Sequence, residues 1–429
     1  MQLKTPSVAD IRQKTVLVRV DFNVPLEKDG DGWRVANEEK ITTSLETIAF
    51  LTKHQAKVLL ISHLGRPGGK PVKKFSLAQI CRLLAEMIGA PVEFSPNTVG
   101  PEANQAVDRL HPGAVLILEN TRFQPEEESN DASFAKELAS LAQVYVNDDF
   151  STAHRRHAST TGVAAHLPSF AGFHFSNELD QLSSMITNPK RPLVMVVGGK
   201  KISDKVQAVI NLTKLADAVL LGGGTANNFL KAEGFKIYNS FVEDAPPDKQ
   251  KRKVNYVKVA QELIESTKHD QILVDGYIPL PKIMMPIDMV AASSPDSTTT
   301  EVIELINNNH HHTKGGSEQG KHSPHRLMFL DIGPKTVRLY QEVIGQAGSI
   351  FWNGPMGVFE KSAFSHGTKE IARSIAKSAA QTMVGGGDTL AAIAKFKLKN
   401  RYDHVSASGG ASLEFLSGEK LPAVEELLK

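Results

Sequence analysis

The sequence predicts an α/β protein with mainly parallel sheets, built as two domains, and three observations carry that expectation. Short β-branched runs alternate with longer amphipathic stretches along the whole chain, the rhythm of strand, crossover helix and parallel strand. At 429 residues the chain is too long for one ordinary core, so two units of roughly 200 residues each are expected. The residues that follow the apolar runs also change character midway, from arginine and histidine to glycine.

In the first half the strand candidates are TVLVRV (15–20), KVLLIS (57–62), AVLILE (114–119) and QVYVN (143–147). In the second half they are PLVMVV (192–197), DAVLLG (217–222), QILVD (271–275), IDMVAA (287–292), SIFWN (349–353), TMVG (382–385) and HVSA (404–407). A helix is predicted over 76–88, with Ser76 as its cap and Gly89 as its stop. The halves should join through SNELDQLSSMITNPKRP (176–192), read as one helix ending at Asn188-Pro189, because proline keeps the preceding residue out of helical geometry. The polar, aperiodic stretch 307–326, with three consecutive histidines, reads as a solvated surface loop.

Composition narrows the function classes. An apolar share of 41% with 22% charged residues is that of a globular protein. No apolar run reaches the roughly 18 residues of a spanning helix, and the opening MQLKTPSVADIRQK lacks the apolar core of a secretion signal. The single cysteine, Cys81, cannot form an internal disulfide, which fits a reducing, cytoplasmic setting. Leu77, Ile80, Leu84 and Ile88 surround it at helical spacing, so core packing is its expected role. A net charge of +2 gives no global basic field, so neither a nucleic-acid nor a membrane partner is expected.

In open parallel sheets, ligands bind outside the carboxyl ends of the strands. After the first run come Asp21-Phe22-Asn23, preceded by Arg19; after the second, His63-Leu64-Gly65-Arg66-Pro67. The third is followed by Glu119-Asn120-Thr121-Arg122, the fourth by Asp148 and then Thr152-Ala153-His154-Arg155-Arg156-His157. Any one arginine would read as part of a solvated face. Repetition at the same topological position points instead to a small ligand carrying both carboxylate and phosphate.

The second-half runs end in glycine: Gly198-Gly199-Lys200-Lys201, Gly222-Gly223-Gly224, Asn353-Gly354-Pro355-Met356-Gly357, Gly385-Gly386-Gly387-Asp388-Thr389 and Ser408-Gly409-Gly410. Glycine lets backbone approach a ligand, and helix N-termini offer free N–H groups to phosphate. Asp388 reads as the N-cap of a helix, and another helix is expected to open at Ser203. Together the turns suggest a nucleotide cradle. It follows neither the GxxxxGK[ST] loop nor GxGxxG, since Gly222-Gly223-Gly224-Thr225-Ala226 is followed by Asn227.

Ten ordered segments resemble the phosphoglycerate kinase family: VLVRVDFNVP (16–25), SHLGRP (62–67), LENTRFQPEEESN (118–130), NDDFSTAHRRHAS (147–159), GGKKISDK (198–205), LGGGTANNFL (221–230), DIGPKT (331–336), FWNGPMGVFE (351–360), GGGDT (385–389) and VSASGGASLEFLSGEKLP (405–422). The resemblance implies two Rossmann-like domains facing each other across a hinge cleft. It implies a substrate domain over 1–175, a connecting helix over 176–188, a nucleotide domain over 189–405, and a segment 406–429 returning to the first domain. The implied reaction is reversible phosphoryl transfer between ATP and the carboxylate of 3-phosphoglycerate, with Mg²⁺, in a monomer.

Carried over by motif, the acid would meet Asp21, Phe22, Asn23, Lys40, His63, Leu64, Gly65, Arg66, Arg122 and Arg155. The nucleotide would meet Lys201, Lys205, Gly223, Gly224, Asn353, Val358, Glu360, Gly386, Gly387, Asp388 and Thr389. Within these, Glu360 would hold the ribose and Asp388 the metal. Lys40, Lys201, Lys205, Gly387 and Gly410 would serve the transfer itself.

The chain departs from the family pattern in several places. Lys40, in KITTSLETI, stands where an arginine is usual. Asp149 and Ser151 replace small residues, Ala407 and Ser408 replace a threonine and a glycine, and Phe329 replaces a glycine before LDIGP. Lys40 and Ser408 motivate a second reading, a nucleotide-binding protein of the same fold with weakened catalysis.

Overall fold

The computed structural model describes residues 3–30, 32–203, 205–243, 254–274, 278–305 and 326–428. Apart from Arg326, the expected loop at 307–326 lies outside the described residues. The chain divides into two compact units, Met1–Ser183 with Glu419–Lys429, and Ser184–Gly418.

The first unit holds β1 (Thr15–Arg19), β2 (Lys57–Ile61), β3 (Val92–Ser95), β4 (Val115–Leu118), β5 (Val144–Asn147) and β6 (Ser169–Ala171). They form one sheet in the order β3-β4-β2-β1-β5-β6, with every pairing parallel. Val16 and Val18 of β1 pack into one core with Val58 and Leu60. Leu17 points the other way, with Leu59, Leu116 and Tyr145. Alternation sends successive side chains to opposite faces, and both faces are covered, which is why these strands read as unbroken apolar runs. Arg19, the last residue of β1, is fully buried and breaks that rule.

Around this sheet lie α1 (Glu39–Thr42), α2 (Ala78–Ile88) and α3 (Phe173–Thr187). Helix α2 starts at Ala78, two residues after the expected Ser76, whose hydroxyl accepts from the Ala78 N–H (3.3 Å) and donates to Glu119 (2.6 Å). It ends as expected at Gly89, whose φ of 66° any Cβ would disfavour. Half-buried Cys81 packs against this core, and burial pushes its thiol up to about 11.

Helix α3 begins at Phe173 rather than 176 because a distant residue fixes its first turn: buried Asp148, just past β5, accepts from the Phe175 N–H (3.2 Å). No helix among the described residues is long and apolar enough to cross a membrane.

The second unit's main sheet comprises β7 (Leu193–Val197), β8 (Ala218–Leu221), β9 (Ile283–Met284), β10 (Ser349–Asn353), β11 (Gln381–Gly385) and β12 (His404–Ser406). Its order is β9-β8-β7-β10-β11-β12, again all parallel. The runs at 271–274 and 288–292 do not join it. Gln271–Val274 pairs antiparallel with Ile278–Pro281, and Asp288–Ala292 lies antiparallel to Glu301–Glu304 and Met328–Ile332. Too few residues separate the hairpin partners for the crossover that a parallel pairing demands.

The flanking helices include α4 (Val206–Leu215), α5 (Gly223–Ala232), α6 (Pro334–Gly345), α7 (His366–Lys377), α8 (Gly387–Lys395) and α9 (Gly409–Leu416). Fully buried Trp352 and Tyr340 anchor this core, and the single proton of the Tyr340 hydroxyl lies between the Leu221 and Met284 carbonyls (2.8 and 2.9 Å).

The chain returns to the first unit at Glu419 rather than 406, since β12 and α9 belong to the second. The returning helix α10 (Pro422–Leu427) is tied by the Ala423 N–H to the Ala153 carbonyl (3.0 Å) and buries Ala423, Val424 and Leu427.

Candidate active site

In the first unit the carboxyl ends of β1, β2, β4 and β5 place a charged network at one sheet edge. Arg19 lies at its centre. Its Nη1 is 3.0 Å from Asp149 Oδ2, its Nε donates to Ser159 Oγ (3.0 Å), and its Nη2 lies 2.9 Å from His63 Nδ1. A guanidinium only donates, so His63 must accept at Nδ1 and carry its proton on Nε2. Burial, then Arg19, pushes this imidazole well below the ordinary histidine range, so it is neutral at pH 7.

Asp149 is fully buried, yet the Arg19 guanidinium and neighbouring donors hold its carboxyl well below the usual carboxylate range.

Asp21 links this centre to Lys40. Its Oδ2 accepts from Lys40 Nζ (2.6 Å) and Ser151 Oγ (2.7 Å), and its Oδ1 from the Asn23 N–H (3.0 Å). Asn23 Oδ1 in turn accepts from the Gly65 N–H (2.9 Å), and Asn120 pins Leu64 through both its N–H and its carbonyl. Arg122 donates to the Gly65 carbonyl (2.9 Å), and its Nε lies 3.0 Å from Glu128 Oε1. Phe22 is buried beneath, its N–H bonded to Ser62 Oγ.

Asp21, Asn23, Lys40, His63, Leu64, Gly65 and Arg122 are therefore one connected set. Arg66 stands exposed beside Gly65 with no hydrogen bond to that set among the described residues, and half-buried Arg155 contacts His154 (3.3 Å).

Sequence reasoning missed two members. Asp149 was visible only as a departure, without a partner. Glu127 sits in an acidic run that reads as a solvated face, yet it is fully buried and accepts from Ser159 N and Oγ (2.9 and 2.5 Å). It thereby extends the Arg19–Ser159 contact towards His157, whose Nδ1 is 3.9 Å from Glu127. Burial and three arginines push His157 down to about 3, so it too is neutral.

In the second unit the strand order sets β8, β7, β10, β11 and β12 side by side, so all five glycine turns line one sheet edge. Gly223 has φ of 57°, and a Cβ there would stand 2.8 Å from the Gly199 carbonyl. Gly386 has φ of 94° and a Cβ would meet Asn353 Nδ2 at 2.7 Å. Both positions require glycine. Asn353 donates to the Gly385 carbonyl (3.0 Å), and Thr389 Oγ1 accepts from the Gly354 N–H (2.7 Å), locking two turns together.

Helices α5, α8 and α9 open at this edge without side-chain caps; in α5 the Gly223 and Thr225 N–H groups go to the Met356 and Gly199 carbonyls (2.9 and 3.1 Å), so the Gly224 N–H and the first turn of α8 are the groups that face an anion. Gly224, Gly387 and Gly410 lie in those first turns.

Two helix starts differ from expectation. Helix α8 takes Gly386 as its N-cap, with Asp388 second in the helix, because the turn has already used the left-handed glycine. Helix α4 opens at Val206 behind Lys205 rather than at Ser203. Lys205 Nζ donates to the Gly198 carbonyl (2.7 Å), and Lys201 is exposed at the same turn. Val358 bonds to the Leu330 carbonyl (2.8 Å) and Glu360 is exposed beyond it. Phe329 is buried in the core, edge-on to Tyr238 (6.0 Å).

Among the described residues, one group of three His, Cys, Asp or Glu lies close enough to share a cation: Asp21, His63 and Asp149, within 4.8 Å. Arg19 and Lys40 already neutralise those carboxylates, so the group does not suit a metal. Asp388 offers an exposed, hard carboxylate oxygen in the first turn of α8. That fits Mg²⁺, which takes one or two carboxylates and completes its shell with phosphate oxygens and water.

Comparison with known proteins identifies the family. The family model described as phosphoglycerate kinase matches residues 7–419. The phosphoglycerate kinase of Pelotomaculum thermopropionicum is 41% identical over 432 residues, covering 100% of both chains. That of Moorella thermoacetica is 43% identical over 97% of both. The solved phosphoglycerate kinase of Coxiella burnetii aligns with a TM-score of 0.79 at 36% identity, covering 97% of each chain. Motifs, fold and relatives converge, and the chain is a kinase belonging to the phosphoglycerate kinase family.

Proposed function

We propose that the chain catalyses reversible phosphoryl transfer between ATP and the carboxylate of 3-phosphoglycerate, giving ADP and 1,3-bisphosphoglycerate. The observation that carries this reading is the division of chemistry between two sheet edges. One gathers arginines around a neutral histidine, and the other aligns glycine turns and uncapped helix starts.

A carboxylate acceptor is already ionised near pH 7, so no general base is needed. Neutral His63 and His157 suit that requirement, as donors or spacers rather than proton acceptors. Arg66, Arg122 and Arg155 bind the acid's phosphate, with Asp21 and Asn23 orienting its hydroxyl and Gly65. The Gly224 N–H of α5 and the first-turn N–H groups of α8 hold nucleotide phosphates, with Asn353, Val358 and Thr389 shaping the cradle and Glu360 meeting the ribose.

Bound Mg²⁺, held by Asp388, would neutralise phosphate charge. Lys40, Lys201, Lys205 and the first-turn N–H groups at Gly387 and Gly410 stabilise the charge that spreads over the transferring group's equatorial oxygens. Transfer requires the carboxylate oxygen to reach the γ-phosphorus in line.

The chain works as a monomer in the cytosol, with Cys81 as a free thiol. Weakened catalysis is not favoured, since relatives matched over nearly the whole length of the chain are named phosphoglycerate kinase. The test is a coupled assay of ADP formation with 3-phosphoglycerate beside other small carboxylates. Selective turnover with 3-phosphoglycerate supports the reading, and none with it rejects the reading.

A further inference from the structure

We propose that Asp149 is a positioning residue, an internal counter-anion that keeps Arg19 from binding ligand and so tunes the acid site against simple inorganic anions. The inference deepens the acid-site reading and rests on it. Arg19 has five N–H donors. Nη1 serves Asp149 and the Val20 carbonyl (2.5 Å), Nε serves Ser159, and Nη2 serves His63. Its charge is thus directed inward, although it lies within the network that gathers His63, Asp21 and Lys40.

Asp149 is equally engaged, accepting from Thr152 Oγ1 (2.8 Å), Thr152 N (3.2 Å) and Ser151 Oγ (2.6 Å). Ser151 also lies 2.7 Å from Asp21 Oδ2. A hydroxyl has one proton, so it serves the two carboxylates in turn, and Asp149 is coupled through Ser151 to Asp21 and Lys40. Asp149 and Ser151 are both departures from the family's small residues, and each makes its contact with the other.

Removing the carboxylate takes away the one direct ion pair of Arg19 among the described residues and leaves Glu127, reached through Ser159, as a buried anion, an arrangement that favours an added anion. One negative charge also disappears from a poorly screened region beside the ligand.

The experiment titrates inorganic phosphate into the full chain and into Asp149→Asn and Asp149→Ala, by calorimetry at constant pH and ionic strength. Both variants are expected to bind phosphate about tenfold more tightly than the parent, and their melting temperatures to rise further on phosphate addition. Phosphate affinity equal to or weaker than the parent's, whatever the change in stability, overturns the proposal. If Asp149→Ala does not fold, Asp149→Asn decides alone, because its amide oxygen can still accept from Thr152. Binding of 3-phosphoglycerate to the parent in the same titration tests the acid-site reading separately: the parent failing there removes the site, and the variants matching the parent removes only the role of Asp149.

Discussion

Replacing Lys40 separates the roles of charge and shape in the acid site. Lys40 Nζ donates to Asp21 Oδ2 at 2.6 Å with 28% of the side chain exposed. In Lys40→Ala, losing one charged donor to the transferring group costs roughly 3–4 kcal/mol, or about 10²–10³-fold in kcat. Stability should change little. Partial exposure screens the pair, which limits its contribution to about 1 kcal/mol, or roughly 2–4 °C in Tm for a unit of this size.

Lys40→Arg supplies a planar fork that can hold Asp21 and a phosphoryl oxygen together, so kcat should equal or exceed the parent's. The assay is steady-state kinetics with both substrates varied, alongside thermal melts. Equal kcat in all three proteins would refute the clamp, as would a collapse of Tm in Lys40→Ala that accounts for the lost activity.

Lys201→Ala should nearly abolish turnover and leave ATP affinity within about tenfold, because the exposed ammonium acts on charge developing in transfer; unchanged kcat would exclude it. Arg122→Ala loses the bond to the Gly65 carbonyl and a charged contact with the acid. It should weaken 3-phosphoglycerate binding by about 1.5–3 kcal/mol, with calorimetry showing ATP affinity unaltered.

Asp331 caps α7 through the Gly367 N–H (2.7 Å), and burial pushes it up to about 8 from 3.8. The folded state therefore holds more protons than the unfolded between those values. Its stabilising contribution is complete below the lower value and is lost as pH rises through the upper. Asp331→Asn removes the ionisation and keeps one of the two oxygens that accept from the Gly367 and Ile332 N–H groups, so its Tm starts lower but should fall less than the parent's as pH is raised, and parallel Tm profiles would contradict this.

Much of the fold was legible because parallel strands buried on both faces leave plain apolar runs, as at VLVRV and LVMVV. The antiparallel pieces at 271–274 and 288–292 look the same in one dimension, and only connection length separates them. The glycine turns along the second sheet edge were legible because positive φ at Gly223 and Gly386 leaves a residue signature.

Helix starts were less legible. The capping of α3 by Asp148 and the bond from Ser76 to Glu119 depend on partners distant in sequence. The Arg19–Asp149 pair and the burial of Glu127 were hidden for the same reason, since a charge reveals its partner only once strands from opposite ends of the unit are adjacent.

The most direct test of the central claim is the rate of ADP formation by the purified chain with Mg-ATP and a series of small carboxylates, followed by identification of the phosphorylated product. The account predicts turnover selective for 3-phosphoglycerate, with an acyl phosphate as product. Binding of ATP without that turnover, or faster turnover with an acid that carries no phosphate, would contradict it.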